Sequence, residues 1–168
     1  AIYPATEAES LARLVLQHIK KYTHTQLLLA RNEALSENEQ QQVTEIVCRL
    51  KKHEPLQYIL GETEFYGLKF HCKAGVLIPR PETEELVDLI AREFAGQSPA
   101  ILDLGTGTGC IPISLKKQIP QASVFGCDIS ETCLQLAREN AAINEASVSF
   151  FKLNMLEPEW PDNLPVFD

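Results

Sequence analysis

Three glycines within five residues constrain this chain more than any other feature of its sequence. Residues 101–111 read ILDLGTGTGCI, an apolar run of strand length, then Gly105, Gly107 and Gly109, then a second apolar stretch. This order predicts a strand, a tight turn and a helix. Glycine adopts positive φ freely and lets a ligand approach the main chain, while the next helix points unpaired N–H groups at the turn. The pattern therefore predicts a site that holds a ligand against the backbone.

The spacing of the glycines indicates the class of ligand. A dinucleotide fingerprint places its third glycine three residues after the second, but here Cys110 occupies that place, and no Walker lysine follows. With Asp103 before it, G-x-G-x-G resembles the first motif of Rossmann-like S-adenosylmethionine-dependent methyltransferases. The resemblance implies close backbone packing against the aminoacyl and ribose parts of that cofactor. The loop would consist of Gly105, Thr106, Gly107, Thr108 and Gly109. The alternative is a glycine-rich turn that binds no ligand.

An acidic residue follows the second predicted strand at a characteristic distance. Residues 123–127 are strand-like and lead to Asp128, which lies 19 positions after Gly109. In this type of fold an acidic residue about 20 positions on accepts hydrogen bonds from the ribose hydroxyls. The alternative is that Asp128 caps the next helix, a role that Ser130 could also fill.

A third strand, predicted over residues 148–153, ends at Asn154. Ligand-contacting residues of α/β folds lie at the carboxyl ends of parallel strands. We therefore expect Asn154 to hydrogen-bond an adenine edge and Met155 to cover the adenine face, although both also suit a turn or packing. Residues 166–168 are predicted to begin a fourth strand.

The first sixty residues predict a small helical bundle without catalytic residues. A capping box from Thr6 predicts a first helix over about 7–21, and Thr25 is expected to cap a short second helix. A further capping box at Ser36 begins a third helix, which Pro55 should stop before a last short turn of helix. So small a bundle has little core, so it should lean on the next domain or recognise a partner.

A β-hairpin linker is predicted over residues 61–80, with β-prone pieces at 65–66, 68–70 and 76–78. A helix then follows Pro81 and ends near Gly96. Arg80 stands between two prolines, which should hold its guanidinium rigidly at the junction.

Composition excludes several other classes of protein. A formal charge of −8 disfavours a broad nucleic-acid surface, and the apolar runs are shorter than a membrane span. The N-terminus lacks the features of a signal peptide, so we expect a cytoplasmic protein. Five cysteines without a C-x-x-C pair suggest free thiols, and four scattered histidines do not indicate a zinc site or another metal site.

Two further stretches narrow the resemblance. LQYILGETEFYGLKF leading into GVLIPRPETEELV, ahead of the glycine loop, resembles the HemK-type glutamine N5-methyltransferases of class I peptide-chain release factors. The resemblance implies an α/β protein in three parts. These would be a helical substrate-docking domain (1–60), the β-hairpin linker (61–80) and the first part of a Rossmann-like methyltransferase domain (81–168).

The resemblance also implies roles for single residues. The glycine loop would surround the aminoacyl end of the cofactor and Asp128 would hold the ribose. Asn154 stands where an aspartate is usual for the adenine amino group, and Met155 would flank the adenine. Residues expected at the substrate or junction are Arg80, Glu82 and Thr83.

The family's catalytic Asn-Pro-Pro-Tyr follows its fourth strand and is not found in this sequence. We therefore expect the catalytic residues beyond Asp168, and we expect the 168-residue chain itself to transfer no methyl group. Two other readings are a methyltransferase that acts on an exocyclic base amine of nucleic acid, and a non-catalytic cofactor- or protein-binding module.

Overall fold

Helices form the first unit of the chain, which ends at Leu60, whereas strands alternate with helices in the second, which begins at Gly61. The computed structural model describes residues 2–157, 160–161 and 164–168. Within these ranges no helix combines the length and apolar character that crossing a membrane requires.

The first unit contains helices α1 (Ala5–Lys20), α2 (His24–Leu29), α3 (Glu37–Leu50) and α4 (Leu56–Leu60). Val15, Leu50 and Leu56 form its buried core. An apolar cleft of about 690 Å³ lies beside this core and is lined mainly by α1 and α3.

The predicted start of α3 is confirmed, whereas the predicted starts of α1 and α2 are wrong. The capping box at Ser36 is confirmed, because its main-chain N–H donates to Glu39 at 2.7 Å and its hydroxyl accepts from the Glu39 N–H at 3.4 Å. The box at Thr6 is wrong: α1 already begins after Pro4, whose φ of −57° suits the start of a helix, and it has no side-chain cap. The cap of α2 is Thr23, which exchanges hydrogen bonds with Gln26, so the prediction of Thr25 is also wrong.

Helix α3 ends at Leu50, five residues before the proline that was expected to stop it. A turn over residues 51–53 follows, and His53 in it has a φ of +60°, which a continuing helix cannot accommodate. The predicted short helix after Pro55 is confirmed as α4.

The second unit opens with an antiparallel hairpin, β1 (Glu62–Phe65) and β2 (Leu68–His71). Its two turn residues, Tyr66 and Gly67, have φ of +51° and +71°, which is the type I′ geometry that suits the twist of paired strands. The third predicted β piece, residues 76–78, is not a strand, although Val76 is buried. Helix α5 (Glu82–Glu93) follows.

A parallel sheet forms the rest of the second unit, so the α/β fold class is confirmed. Strands β3 (Ala100–Leu104), β4 (Ser123–Asp128) and β5 (Ser149–Lys152) lie in the order β3-β4-β5. Helices α6 (Cys110–Gln118) and α7 (Glu131–Ile143) connect them. Because the strands are parallel, their carboxyl ends meet at one edge of the sheet.

The fourth strand predicted to start at residue 166 is not formed. In the described segment 164–168, Asp168 alone bonds to β3: its N–H donates to the Ala100 oxygen at 3.0 Å, and its carboxylate accepts from the Ala100 N–H at 2.8 Å. One bonded residue is too little for a strand ladder. The ring of Phe167 meets that of Phe125 edge to face, with centroids 5.6 Å apart.

Candidate functional site

The glycine loop, residues 105–109, is anchored to the end of β4. The N–H groups of Gly105 and Thr106 both donate to the carbonyl oxygen of Cys127 at 2.9 Å. The N–H of Gly109 donates to the Thr106 oxygen at 2.8 Å, which closes the turn before α6. These bonds fix the loop at the carboxyl edge of the sheet.

All three loop glycines have positive φ, but they serve different needs. A Cβ at Gly109 would lie 3.0 Å from side-chain carbons of both Ile113 and Ala137, so this glycine lets α6 and α7 pack closely. A Cβ added at Gly105 or Gly107 would lie 3.8 or 3.9 Å from its nearest atom, which is an ordinary van der Waals contact. The first two glycines therefore leave their backbone accessible to a ligand, whereas the third serves packing.

Asp128 joins the loop to the start of α7. One carboxylate oxygen accepts from the Gly107 N–H at 3.0 Å and the other from the Ser130 N–H at 2.9 Å. The side-chain cap of α7 is Ser130, whose hydroxyl accepts from the Cys133 N–H at 3.4 Å. Each carboxylate oxygen of Asp128 retains acceptor capacity for a ligand hydroxyl.

Asp103 lies beneath the loop. One of its carboxylate oxygens and the Thr106 hydroxyl are buried and make no hydrogen bond of good geometry in the described structure, although the hydroxyl lies close enough to act on the carboxyl group. Burial raises the pKa of the Asp103 carboxyl; the Thr106 side chain opposes this rise, and the Asp128 carboxylate adds to it. Buried polar atoms without a well-formed hydrogen bond are costly, and such atoms cluster at functional sites.

Asn154 uses its side chain locally. Its amide donates to Glu157 at 3.0 Å and accepts from the Leu156 N–H at 3.2 Å, which makes it a turn residue. Met155 lies over the loop, since its methyl carbon is 3.8 Å from the position of a Cβ on Gly105. Of this predicted pair, Met155 is thus the one that the structure brings to the glycine loop.

Two apolar residues at the same edge were not singled out by the sequence analysis. Leu104 at the end of β3 and Ile129 directly after Asp128 have exposed fractions of 44% and 60%. With the half-exposed Met155 they give the carboxyl edge of the sheet an apolar surface. The signal in the sequence is that each directly adjoins a residue predicted to bind ligand.

The residues predicted at the substrate or junction form the approach to α5. Arg80 is exposed, and its carbonyl oxygen accepts from the Thr83 N–H at 3.0 Å. Glu82 is the first residue of α5, where its charge suits the helix dipole. Their functional roles stay predictions.

Asn140 was missed by the sequence analysis. It is fully buried on α7, and its side-chain amide bonds to His71 in the hairpin and to Thr108 in the glycine loop. The sequence does contain an indication of this role. Asn140 lies on the same helix face as the buried apolar residues Leu136, Ala137 and Ala141, and a polar side chain at such a position needs a hydrogen-bond partner.

Comparison with protein families matches two parts of the chain. The PrmC N-terminal domain matches residues 4–61. A methyltransferase domain matches residues 101–168, which include the glycine loop, Asp128 and Met155.

Curated relatives match across both parts. The release factor glutamine methyltransferase of Flavobacterium psychrophilum is 41% identical over 163 residues, which are 95% of this chain and 57% of that protein. That of Bacteroides thetaiotaomicron is 44% identical over 89% of this chain and 53% of that protein. That of Streptococcus pneumoniae is 46% identical over 80% of this chain and 48% of that protein. The chain thus spans about half the length of these relatives.

Proposed function

Because this chain belongs to the family of release factor glutamine methyltransferases, we propose that the whole protein methylates the side-chain nitrogen of a glutamine in its protein substrate. The substrate is a class I peptide-chain release factor, the glutamine is that of the GGQ motif, and the methyl donor is S-adenosylmethionine. The observation that carries the proposal is the bond between the Asp128 carboxylate and the Gly107 N–H, which places the acidic residue directly at the accessible part of the glycine loop.

The described residues fit the proposed cofactor. Gly105 and Gly107 leave room at the main chain for its aminoacyl and ribose parts, and Asp128 accepts from the ribose hydroxyls with its remaining lone pairs. Ile129 and Met155 provide apolar cover for the adenine, and the Asn154 carbonyl is the proposed adenine contact. The two loop threonines, Thr106 and Thr108, are buried.

The reaction requires positioning more than strong bases. The cofactor supplies a methyl group on a positively charged sulfur. In the transfer the glutamine nitrogen would form a bond to this carbon, the sulfur would keep the electron pair of the broken C–S bond, and the nitrogen would release one proton to water. An amide nitrogen is a poor nucleophile because its lone pair is delocalised, so orientation of its NH2 group is the main task of the protein. That the catalytic groups lie beyond Asp168 stays a prediction.

The proposed partner site is the first unit. Residues 1–60 carry seven Lys and Arg against seven Asp and Glu, whereas residues 61–168 carry eight against sixteen. The first unit is therefore neutral, and it offers the apolar cleft together with two exposed leucines, Leu28 and Leu29, for contact with a protein. The acidic second unit disfavours a nucleic-acid substrate. A translation factor as substrate implies a cytoplasmic protein.

The test is methyl transfer by the whole protein. Incubation with methyl-labelled S-adenosylmethionine and a class I release factor should label the release factor. A release factor with alanine in place of the GGQ glutamine should remain unlabelled. A parallel incubation with tRNA and with DNA tests the base-amine alternative, and label only on nucleic acid would refute the proposal.

A further inference from the structure

Two residues of strand β2 have main-chain N–H and C=O groups that do not bond to β1. In the antiparallel hairpin, Cys72 donates to the Gly61 oxygen at 2.8 Å, and hydrogen-bonded pairs alternate with non-bonded pairs along such a ladder. Glu62 and His71 form the next pair in the register, and Glu64 pairs with Lys69. By this alternation the N–H and C=O groups of His71 and Lys69 point away from β1. These groups need partners where β2 is covered.

Partners for three of these four groups come from two asparagines one turn apart, Asn140 in α7 and Asn144 directly after the last residue of α7. Asn140 accepts from the His71 N–H at 2.7 Å and donates to the His71 oxygen at 3.2 Å, as a paired strand residue would. Asn144 donates to the Lys69 oxygen at 2.7 Å. Four helical residues rise about 6 Å and two strand residues about 6.8 Å, so the two spacings match.

Asn140 alone makes a third bond that reaches the glycine loop. Its amide nitrogen donates to the Thr108 oxygen at 2.9 Å, while the side chain is fully buried. Both amide hydrogens of Asn140 are therefore used, one for the hairpin and one for the loop. The loop, α7 and β2 are joined through this single side chain.

We propose that Asn140 is a positioning residue that fixes the glycine loop to the hairpin and so sets the affinity for the cofactor. The identity of the cofactor rests on the function proposed above, whereas the coupling between hairpin and loop does not. Residue 108 lies between the accessible Gly107 and the packing glycine Gly109, so a shift of its carbonyl moves the backbone that faces the ligand. The hairpin is also held at its turn, where Glu84 of α5 accepts from the Tyr66 N–H at 2.8 Å.

Removal of the Asn140 side chain leaves buried main-chain groups unpaired at both the hairpin and the loop. An unsatisfied buried group is costly, so the local structure relaxes to reach water or another partner. Asn144 provides the matched control, because its alanine variant also loses a bond between α7 and β2 but none to the loop. The Asn144 variant therefore shows how far loss of a bond between α7 and β2 disturbs the loop when the contact with Thr108 is kept.

The experiment compares the wild type with the variants Asn140→Ala and Asn144→Ala, all made as the whole protein. All measurements are made at a temperature at which circular dichroism shows that the three proteins are folded. Hydrogen exchange is measured on the peptide covering residues 104–110, and affinity for S-adenosylhomocysteine by calorimetry. Asn140→Ala should accelerate exchange in this peptide and weaken binding about tenfold or more, which corresponds to about 1.4 kcal/mol. Asn144→Ala should leave loop exchange at the wild-type rate and affinity within about twofold. Should the alanine variant not fold, Asn140→Leu replaces it, because this side chain of similar shape fills the buried space but cannot donate to Thr108.

The outcomes test two separate claims, the positioning role of Asn140 and the identity of the cofactor. Equal loop exchange in the Asn140 and Asn144 variants overturns the positioning role. If the wild type does not bind S-adenosylhomocysteine, the assignment of the cofactor fails, and loop exchange still decides whether Asn140 positions the loop.

Discussion

The side-chain amide of Asn140 lies 2.9 Å from the carbonyl oxygen of Thr108. One residue of α7 is thus bonded to the turn that carries the proposed cofactor site. The same turn is bonded to β4 through Cys127 and to Asp128 through Gly107. Its conformation therefore depends on contacts from several elements and not only on its glycines.

The first prediction concerns Asp128. Both of its carboxylate oxygens accept main-chain N–H groups, so Asp128→Asn places an NH2 donor against an N–H donor, and Asp128→Ala removes both acceptors. Hydrogen bonds to charged groups contribute about 1.5–3 kcal/mol, so either change should weaken binding of S-adenosylhomocysteine by about ten- to a hundredfold. Calorimetry measures this. Glu139→Gln on the exposed side of α7 removes the same charge and should leave affinity unchanged. Unchanged affinity in both Asp128 variants would exclude the ribose role.

A second prediction separates backbone strain from packing at Gly109. Gly75 has a φ of +89° with no atom within 4 Å of a Cβ, whereas Gly109 has a φ of +79° with side-chain carbons at 3.0 Å. Gly75→Ala should cost about 1–2 kcal/mol for the left-handed conformation. Gly109→Ala should cost about 1–3 kcal/mol more, because it also forces α6 and α7 apart. Urea denaturation measures both free energies of unfolding, and equal values would show that α6 and α7 accommodate the methyl group.

Local patterns in the sequence predicted most of the second unit. The apolar run before Gly105 and the apolar stretch after Cys110 are short-range signals, and strand, loop and helix appear there as expected. The family resemblance, based on the IPRPETEELV stretch and the glycine loop, is confirmed by the curated relatives.

The cap of α2 was misplaced by two residues because Thr23 and Thr25 are both acceptable caps by residue type.

Long-range contacts account for what the sequence did not predict. Asn140 bonds to His71, 69 positions away, and to Thr108, 32 positions away, and no periodicity encodes such partners. Asn154 stands at a strand end and its amide also bonds within its own turn, so its contact with the adenine stays a prediction. Strand position predicts where a side chain lies more reliably than which partner it selects.

A third prediction concerns thiol reactivity. Burial raises the pKa of both Cys72 and Cys110 to about 11, with a smaller contribution from the nearby thiol of Cys110 in the case of Cys72. At pH 8 only about one thiol in a thousand is then ionised, and the thiolate is the reactive form. Cys48 is exposed. Mass spectrometry after brief iodoacetamide treatment at pH 8 should find label on Cys48 and neither on Cys72 nor on Cys110, and denaturant should make all three reactive. Rapid labelling of Cys110 in the folded protein would contradict its burial beneath the loop.

The last prediction concerns the docking of the release factor. Leu28 and Leu29 of α2 have exposed fractions of 62% and 84%, so neither is needed for the core of the first unit. If residues 1–60 bind the release factor, burial of these two side chains contributes about 1.5–3 kcal/mol each at most. In the whole protein the double variant Leu28→Ser, Leu29→Ser should therefore raise KM for an intact release factor about tenfold or more. The kcat at saturating substrate and the affinity for S-adenosylhomocysteine should not change.

Gln41→Ser on an exposed position of α3 is the matched control and should leave KM unchanged. A wild-type KM in the leucine variant would place the docking surface away from α2. A loss of cofactor affinity would show instead that the substitutions act on the second unit.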